Sequence, residues 1–179
     1  MATKAKTKSS RDAERKSNRL QASGRRSRTQ GAVNALDLLE HDHRQVEEWL
    51  DEFDEMKPSD RRRAELAKKI CLALKVHAQI EEEIFYPQAR EAIKDNDLID
   101  EAIVEHATVK NLVDEIEKMK IGDELYDAKM RVLGEIVKHH IREEEEELFP
   151  ELQSVKMDLD TVGKSVAERK EELMESMHA

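Results

Sequence analysis

The chain has 179 residues, 40% of them charged and 3% aromatic, with 5 Gly, 3 Pro and a formal net charge of -10. That length holds one ordinary domain and a tail, and the composition is that of a helical protein. No apolar run approaches the roughly 18 residues of a membrane span, no secretory pattern follows the basic start, and the single Cys71 rules out an intrachain disulfide framework or a cysteine zinc cage, so a reducing cytoplasm is the expected setting.

Residues 1–30 carry ten Lys or Arg against Asp12 and Glu14. Leu20 is almost their only large aliphatic residue after Met1, too little to offset the entropy of ordering, so a disordered basic arm is expected. Such an arm suits nucleic acid or an acidic partner, and its Arg and Ser content also suits a targeting peptide. A solvated tail without a fixed partner is the plainer reading.

Residues 31–153 are expected to form the main domain. The first helix spans about Asn34 to Met56, with Leu36, Leu39, His43, Val46, Leu50 and Phe53 on one stripe. Pro58 breaks it, and Ser59 or Asp60 is positioned to cap the second helix. That helix turns Leu66, Ile70, Leu74, His77, Glu81 and Phe85 inward, and Pro87 should kink or loosen it before it ends near Lys94. Asp95-Asn96-Asp97 forms a turn and cap. A third helix follows with Ile99, Ile103, His106, Val113 and Ile116 inside. Ile121-Gly122-Asp123 ends it and caps a fourth, whose stripe is Met130, Leu133, Val137, His140, Glu144 and Leu148. In the extension 154–179, Val162, Val166, Leu173 and Met177 predict a short fifth helix leaning on the rest. The expected architecture is all-α, an up-down-up-down four-helix bundle.

The chain also repeats itself. Residues 37–87 laid on 100–150 at a constant offset of 63 give 14 identities in 51 positions, among them His43/His106, His77/His140, Glu81/Glu144 and Pro87/Pro150. Chance matches among Glu and Lys do not account for two His pairs at one offset, so a two-helix unit is duplicated. In each copy a His precedes a Glu by four residues, which places both on one helix face about 6 Å apart at Cβ.

These polar residues interrupt the apolar stripes. A lone His there is usually a hydrogen-bonded core residue. Six polar groups driven into one layer are another matter, because a buried unpaired carboxylate costs several kcal/mol and two together repel. A divalent metal relieves both costs. Imidazole and carboxylate without thiolate suit iron, manganese or zinc. Four His and two Glu exceed one tetrahedral zinc but satisfy two six-coordinate ions bridged by Glu81 and Glu144, with His43 beside His77 and His106 beside His140. His41 and His139 fail the offset test and should lie outside. No His-Glu-x-x-His occurs, so a metalloprotease is not indicated.

Leu39-Glu-His-Asp-His43-Arg, His77-Ala-Gln-Ile-Glu81-Glu-Glu-Ile-Phe-Tyr-Pro87, Glu105-His106, His139-His140-Ile-Arg-Glu-Glu144 and Leu148-Phe149-Pro150 together resemble the hemerythrin family, specifically its bacterial members with a His-His-Glu cation-binding domain. The resemblance covers about residues 34–152. It implies a hemerythrin-like bundle with a non-haem di-iron centre, two iron ions joined by an oxo or hydroxo bridge, on His43, His77, Glu81, His106, His140 and Glu144. Oxygen-carrying members have a further His where this chain has Lys110, so one iron is left with water or another side chain; Glu47, the repeat partner of Lys110, is the candidate.

The resemblance implies a protein that binds oxygen, or handles peroxide or nitric oxide, with catalase-like turnover as the enzymatic form. A second expectation is an iron- or oxygen-responsive regulator signalling through the basic arm. Ferritin-like iron oxidation needs paired Glu-x-x-His motifs, and only Glu40-x-x-His43 is present. A metal-free helical interaction bundle is the remaining alternative.

Overall fold

The computed structural model describes residues 33–178, and the regular structure within them is helical. The basic segment 1–30 lies outside the described residues. Helix α1 (Ala35–Glu55) starts where Asn34, in extended conformation, accepts the Leu36 N–H at 2.9 Å, and it buries the expected stripe from Leu36 to Phe53. Helix α2 (Arg63–Ile80) starts later than Ser59 or Asp60 capping would have it. The Asp60 carboxylate is used within the preceding turn, accepting the Arg62 N–H at 2.9 Å.

Helix α2 does not stop at Ile80. It widens into a π-turn over Glu81–Phe85 and resumes as Tyr86–Ala92. Proline has no N–H to donate and its ring crowds the carbonyl four residues back, so the wider turn accommodates Pro87, with the Tyr86 N–H reaching back to the Glu81 carbonyl. The duplication reproduces the device. Helix α4 (Tyr126–Glu143) widens over Glu144–Leu148 and resumes as Phe149–Ser154 with Pro150 near its start.

Between them, α3 (Asp97–Glu117) follows the turn in which Asp95 accepts the Asp97 N–H at 3.1 Å. Its inner face is Ile99, Ala102, His106, Val109, Val113 and Ile116, whereas Ile103 is 37% exposed. The helix presents a narrow seam with alternating steps of three and four, and Ala102 takes the place expected for Ile103. Asp123 does not cap α4 either. It accepts the Lys120 N–H at 2.8 Å, and the chain passes through left-handed Gly122 (φ 91) and Leu125 (φ 70) before Tyr126.

Helix α1 packs against α2 and α4, and α3 against the same two, which closes the four-helix ring. The apolar interior falls into two clusters. One gathers Leu36, Leu39, Ile80, Phe85, Ile99 and Leu152; the other gathers Val46, Leu50, Phe53, Ile70, Val113 and Leu133. Truncating a side chain as buried as Leu133 to Ala costs about 2–5 kcal/mol. Arg63 ties the second cluster's end, with its guanidinium 4.2 Å over the Phe53 ring and 3.0 Å from Asp127. Cys71 is buried there, and desolvation pushes its thiol up to about 12, so it is inert.

Helix α5 (Leu159–His178) lies on α1, α2 and the first π-turn, burying Val162, Val166 and Leu173. Met177, expected inside, is 41% exposed in the last turn and belongs to neither apolar cluster. Gly163 makes the contact possible. A Cβ there would fall 1.8 Å from the Val33 carbonyl oxygen and 2.6 Å from the Ala35 N. Gly163→Ala is therefore expected to lift α5 from the start of α1 and lower stability by about 2 kcal/mol or more, read as a fall in thermal midpoint. No described helix is long and apolar enough to cross a membrane.

Candidate metal centre

A polar layer separates the two apolar clusters. His43 comes from α1, His77 from α2, His106 from α3 and His140 from α4, while Glu81 and Glu144 open the two π-turns; all six are buried. His43 Nε2 stands 3.0 Å from His77 Nε2 and 3.3 Å from Glu144 Oε2. His106 Nε2 stands 3.1 Å from His140 Nε2 and 3.3 Å from Glu81 Oε2. Glu81 faces both pairs, since its Oε1 is 3.2 Å from His77 Nε2, and Glu144 Oε2 is 3.5 Å from His140 Nε2.

These separations are what a metal requires. With bonds of about 2.1 Å, donors on one ion stand about 3.0 Å apart at right angles and about 3.4 Å at tetrahedral angles. Two groups of donors close enough to share an ion result: His43, His77, Glu81 and Glu144, and Glu81, His106 and His140. Glu81 Oε1, Glu144 Oε2 and His77 Nδ1 are buried without a hydrogen-bond partner. Each such atom costs about 1–3 kcal/mol, a cost that cations beside the two carboxylate oxygens remove.

The metal-free electrostatics point the same way. Burial opposes charge on His77, yet attraction to the Glu81 carboxylate and to the facing Asp42 carboxylate outweighs it and raises the ring to about 10. His106 is likewise desolvated, and its hydrogen bonds to Glu81 and Glu82 lift it to about 9. Burial would raise Glu81, but His77 and His106 hold it well below the carboxylate range. The centre thus demands positive charge, which protons supply when metal does not.

Outside the layer, each imidazole turns Nδ1 to a carboxylate. His43 meets Glu145 at 2.8 Å, His106 meets Glu82 at 3.1 Å, His140 meets Glu105 at 3.0 Å and His77 faces Asp42 at 3.8 Å. Glu82 and Glu145 are related by the offset of 63, and so are Asp42 and Glu105. An Nδ1–H directed at a carboxylate leaves the Nε2 lone pair pointing inward, the tautomer a metal needs.

Residues 34–152 match the family described as the Hemerythrin HHE cation binding domain. The chain belongs to that family. A solved HHE cation-binding domain-containing protein from Mycobacterium kansasii superimposes with a TM-score of 0.70 at 24% identity, over 80% of this chain and 89% of that one, a likeness of fold. A protein described as a DNA nickase from a Nostoc species is 29% identical over 125 residues, 68% of this chain; the chain spans only about a third of that relative's length, 35% being matched.

Within this HHE domain, sequence reasoning missed the outer carboxylates and Tyr86. The Tyr86 hydroxyl donates to Glu144 Oε1 at 2.8 Å and lies 3.5 Å from both Glu81 Oε2 and His106 Nε2, with its ring stacked on His106. On an α-helix a residue five beyond Glu81 sits about 140° away from it; the π-turn stacks the two instead. Phe149, the repeat partner of Tyr86, stacks on His43 without a hydroxyl, so the centre is chemically lopsided. The signal was the Phe-Tyr-Pro and Leu-Phe-Pro triplets in register.

His41 is exposed and His139 is 47% exposed, both outside the layer. Glu47 pairs with Arg44 at 3.5 Å and belongs to neither core donor group, and Lys110 holds Glu82 at 2.8 Å. Lys110 therefore braces a carboxylate that orients His106. Glu145→Gln is expected to weaken metal affinity about ten- to hundredfold by loosening His43, measured by competition with a chelator.

Proposed function

We propose that the chain is a non-haem di-iron protein in which His43, His77, Glu81, His106, His140 and Glu144 hold two iron ions that bind oxygen or handle peroxide or nitric oxide. One observation carries the size of the ligand. The cavity lined by all four imidazoles and by Val46, Leu74, Val109, Val137 and Ile141 has a volume of about 20 Å³. That is room for a molecule of one or two heavy atoms.

When bound, the iron pair supplies the electrons for reduction of a small oxidant. The chain's own residues do the rest. Glu145, Glu82 and Glu105 fix three imidazoles with Nε2 inward, and the valine, leucine and isoleucine walls exclude water. Burial, reinforced by the neighbouring Glu144 and Glu81 carboxylates, raises the Tyr86 hydroxyl well above the phenol range, so it keeps its proton at Oη and donates it to Glu144 as a hydrogen bond. Tyr86→Phe is expected to retain both ions while lowering peroxide reactivity several-fold, measured as metal content and oxygen evolution on the same samples.

The test is titration of anaerobically loaded ferrous protein with oxygen and then with peroxide, following the visible spectrum and evolved gas. A stable coloured adduct identifies a carrier or sensor, and oxygen released from peroxide identifies a catalase-like enzyme. Iron-supplemented protein without stoichiometric metal overturns the reading. The lone, inert Cys71 is consistent with the cytoplasmic setting we assign.

A second reading rests on residues 1–30 and on the relative described as a DNA nickase. Here the HHE domain responds to iron or oxygen and the basic arm carries that state to nucleic acid or an acidic partner. Deleting residues 1–30 then abolishes DNA retention and leaves peroxide and oxygen reactivity intact; unchanged DNA retention rejects this reading.

A further inference from the structure

Each carboxylate that orients a core imidazole has a second neighbour on its outer side. For Glu145 it is Arg44 at 2.9 Å, for Glu82 it is Lys110 at 2.8 Å, and for Asp42 it is Lys170 of α5. Three of the four are thus backed by a fixed cation. Glu105 differs. Among the described residues no Lys or Arg pairs with it; instead its Oε1 faces His139 Nε2 at 3.6 Å, while its Oε2 holds His140. Glu143, one turn after His139 on α4, places Oε1 3.1 Å from the same Nε2. Where the other three positions carry a positive charge, this one carries an imidazole and a second carboxylate.

We propose that Glu105, His139 and Glu143 form a second, surface metal site that takes a divalent transition ion such as Zn²⁺, one face of which supplies the cation missing behind Glu105. The donor atoms lie within 4.8 Å of one another. The separations of the two carboxylates from His139 Nε2, 3.1 and 3.6 Å, bracket the tetrahedral edge of about 3.4 Å expected for bonds near 2.1 Å. His and Glu four apart on one helix, met by a carboxylate from the next, make a three-donor site whose remaining position is open to water. The donors are 19 to 47% exposed at an open cleft of about 430 Å³, which gives the ion a way in.

Arg142 opposes binding. Its guanidinium donates to His139 Nδ1 at 2.8 Å, which places the ring proton on Nε2; the ion needs the other tautomer. Arg142 is exposed and free to swing away, so it sets the affinity rather than forbidding the site. Glu105 keeps Oε2 on His140 throughout, and its carboxylate links the surface ion to the core.

The test is calorimetric titration of the full, iron-loaded chain with Zn²⁺, with bound zinc and iron counted after gel filtration. One zinc per chain is expected above the core iron, with micromolar dissociation constant. His139→Ala and Glu143→Gln each weaken it at least tenfold with iron content unchanged, and Arg142→Gln tightens it several-fold. Absence of the extra zinc, or its survival in both His139→Ala and Glu143→Gln, overturns the proposal. Because the readout is zinc counted beside iron, failure here leaves the core reading untouched, and loss of core iron does not mimic it.

Discussion

Glu81→Gln with Glu144→Gln is expected to abolish metal retention: bound iron falls from about two ions per chain to below one in ten chains, while the bundle stays folded. Both carboxylates touch imidazoles of two helices, and each has an oxygen without a hydrogen bond. An amide keeps the shape and removes the charge. It also removes the need for a counter-cation, because the forces that raise His77 and His106 come chiefly from these carboxylates once burial is overcome. The metal-free double variant should therefore be at least as stable as metal-free wild type at pH 9.5. Elemental analysis and thermal unfolding of the same preparations separate loss of ligands from loss of fold. Undiminished iron in the double variant would falsify the assignment of the centre.

Removing metal from the wild type should lower the thermal midpoint by about 10 °C or more. Saturating a site a thousandfold above its dissociation constant stabilises by about 4 kcal/mol, and one kcal/mol moves a domain of this size by about 2–4 °C. The metal-free chain should then show a pH dependence that the loaded chain lacks. His77 and His106 have folded-state values raised to about 10 and about 9 from 6.5, so their contribution is fully present below about pH 6.5 and is lost as pH rises through 9 to 10. Glu81 is lowered, so its contribution is present above its unfolded value near 4.5 and fades as acid protonates it. Metal-free stability should peak between those limits and fall towards pH 10. Metal uptake near pH 8 should displace about two protons, since metal and proton compete for the same Nε2 atoms. Calorimetry in buffers of different ionisation enthalpy counts them, and a metal-free midpoint that is flat from pH 6 to 10 would contradict the account.

The sequence by itself determined the helices, most of their inward faces and the six converging polar side chains, Ile103 and Met177 being the exceptions. These follow from a 3.6-residue period and from one offset, both written locally along the chain and doubled by the repeat. It also marked where α2 had to loosen, at Pro87, and paired that proline with Pro150 through the repeat. It did not show that the loosening is a π-turn, and so could not see that Tyr86 is rotated from a flank onto the centre. The starts of α2 and α4 were placed too early for a related reason: Asp60 and Asp123 close turns instead of capping helices, a choice between neighbouring donors that composition does not reveal.

Only the tertiary structure decided the outer layer. Glu145 meets His43 across 102 residues, and Lys170 meets Asp42 across 128. In a segment as acidic as Glu143 to Glu147, nothing local distinguishes the carboxylate that orients a ligand from those that face solvent. Packing distinguishes them, because burying an imidazole among apolar helices makes the position of its second nitrogen costly unless a particular partner from another helix arrives there. The period of a helix fixes which way a side chain points; what it meets is fixed by how the helices lie against one another.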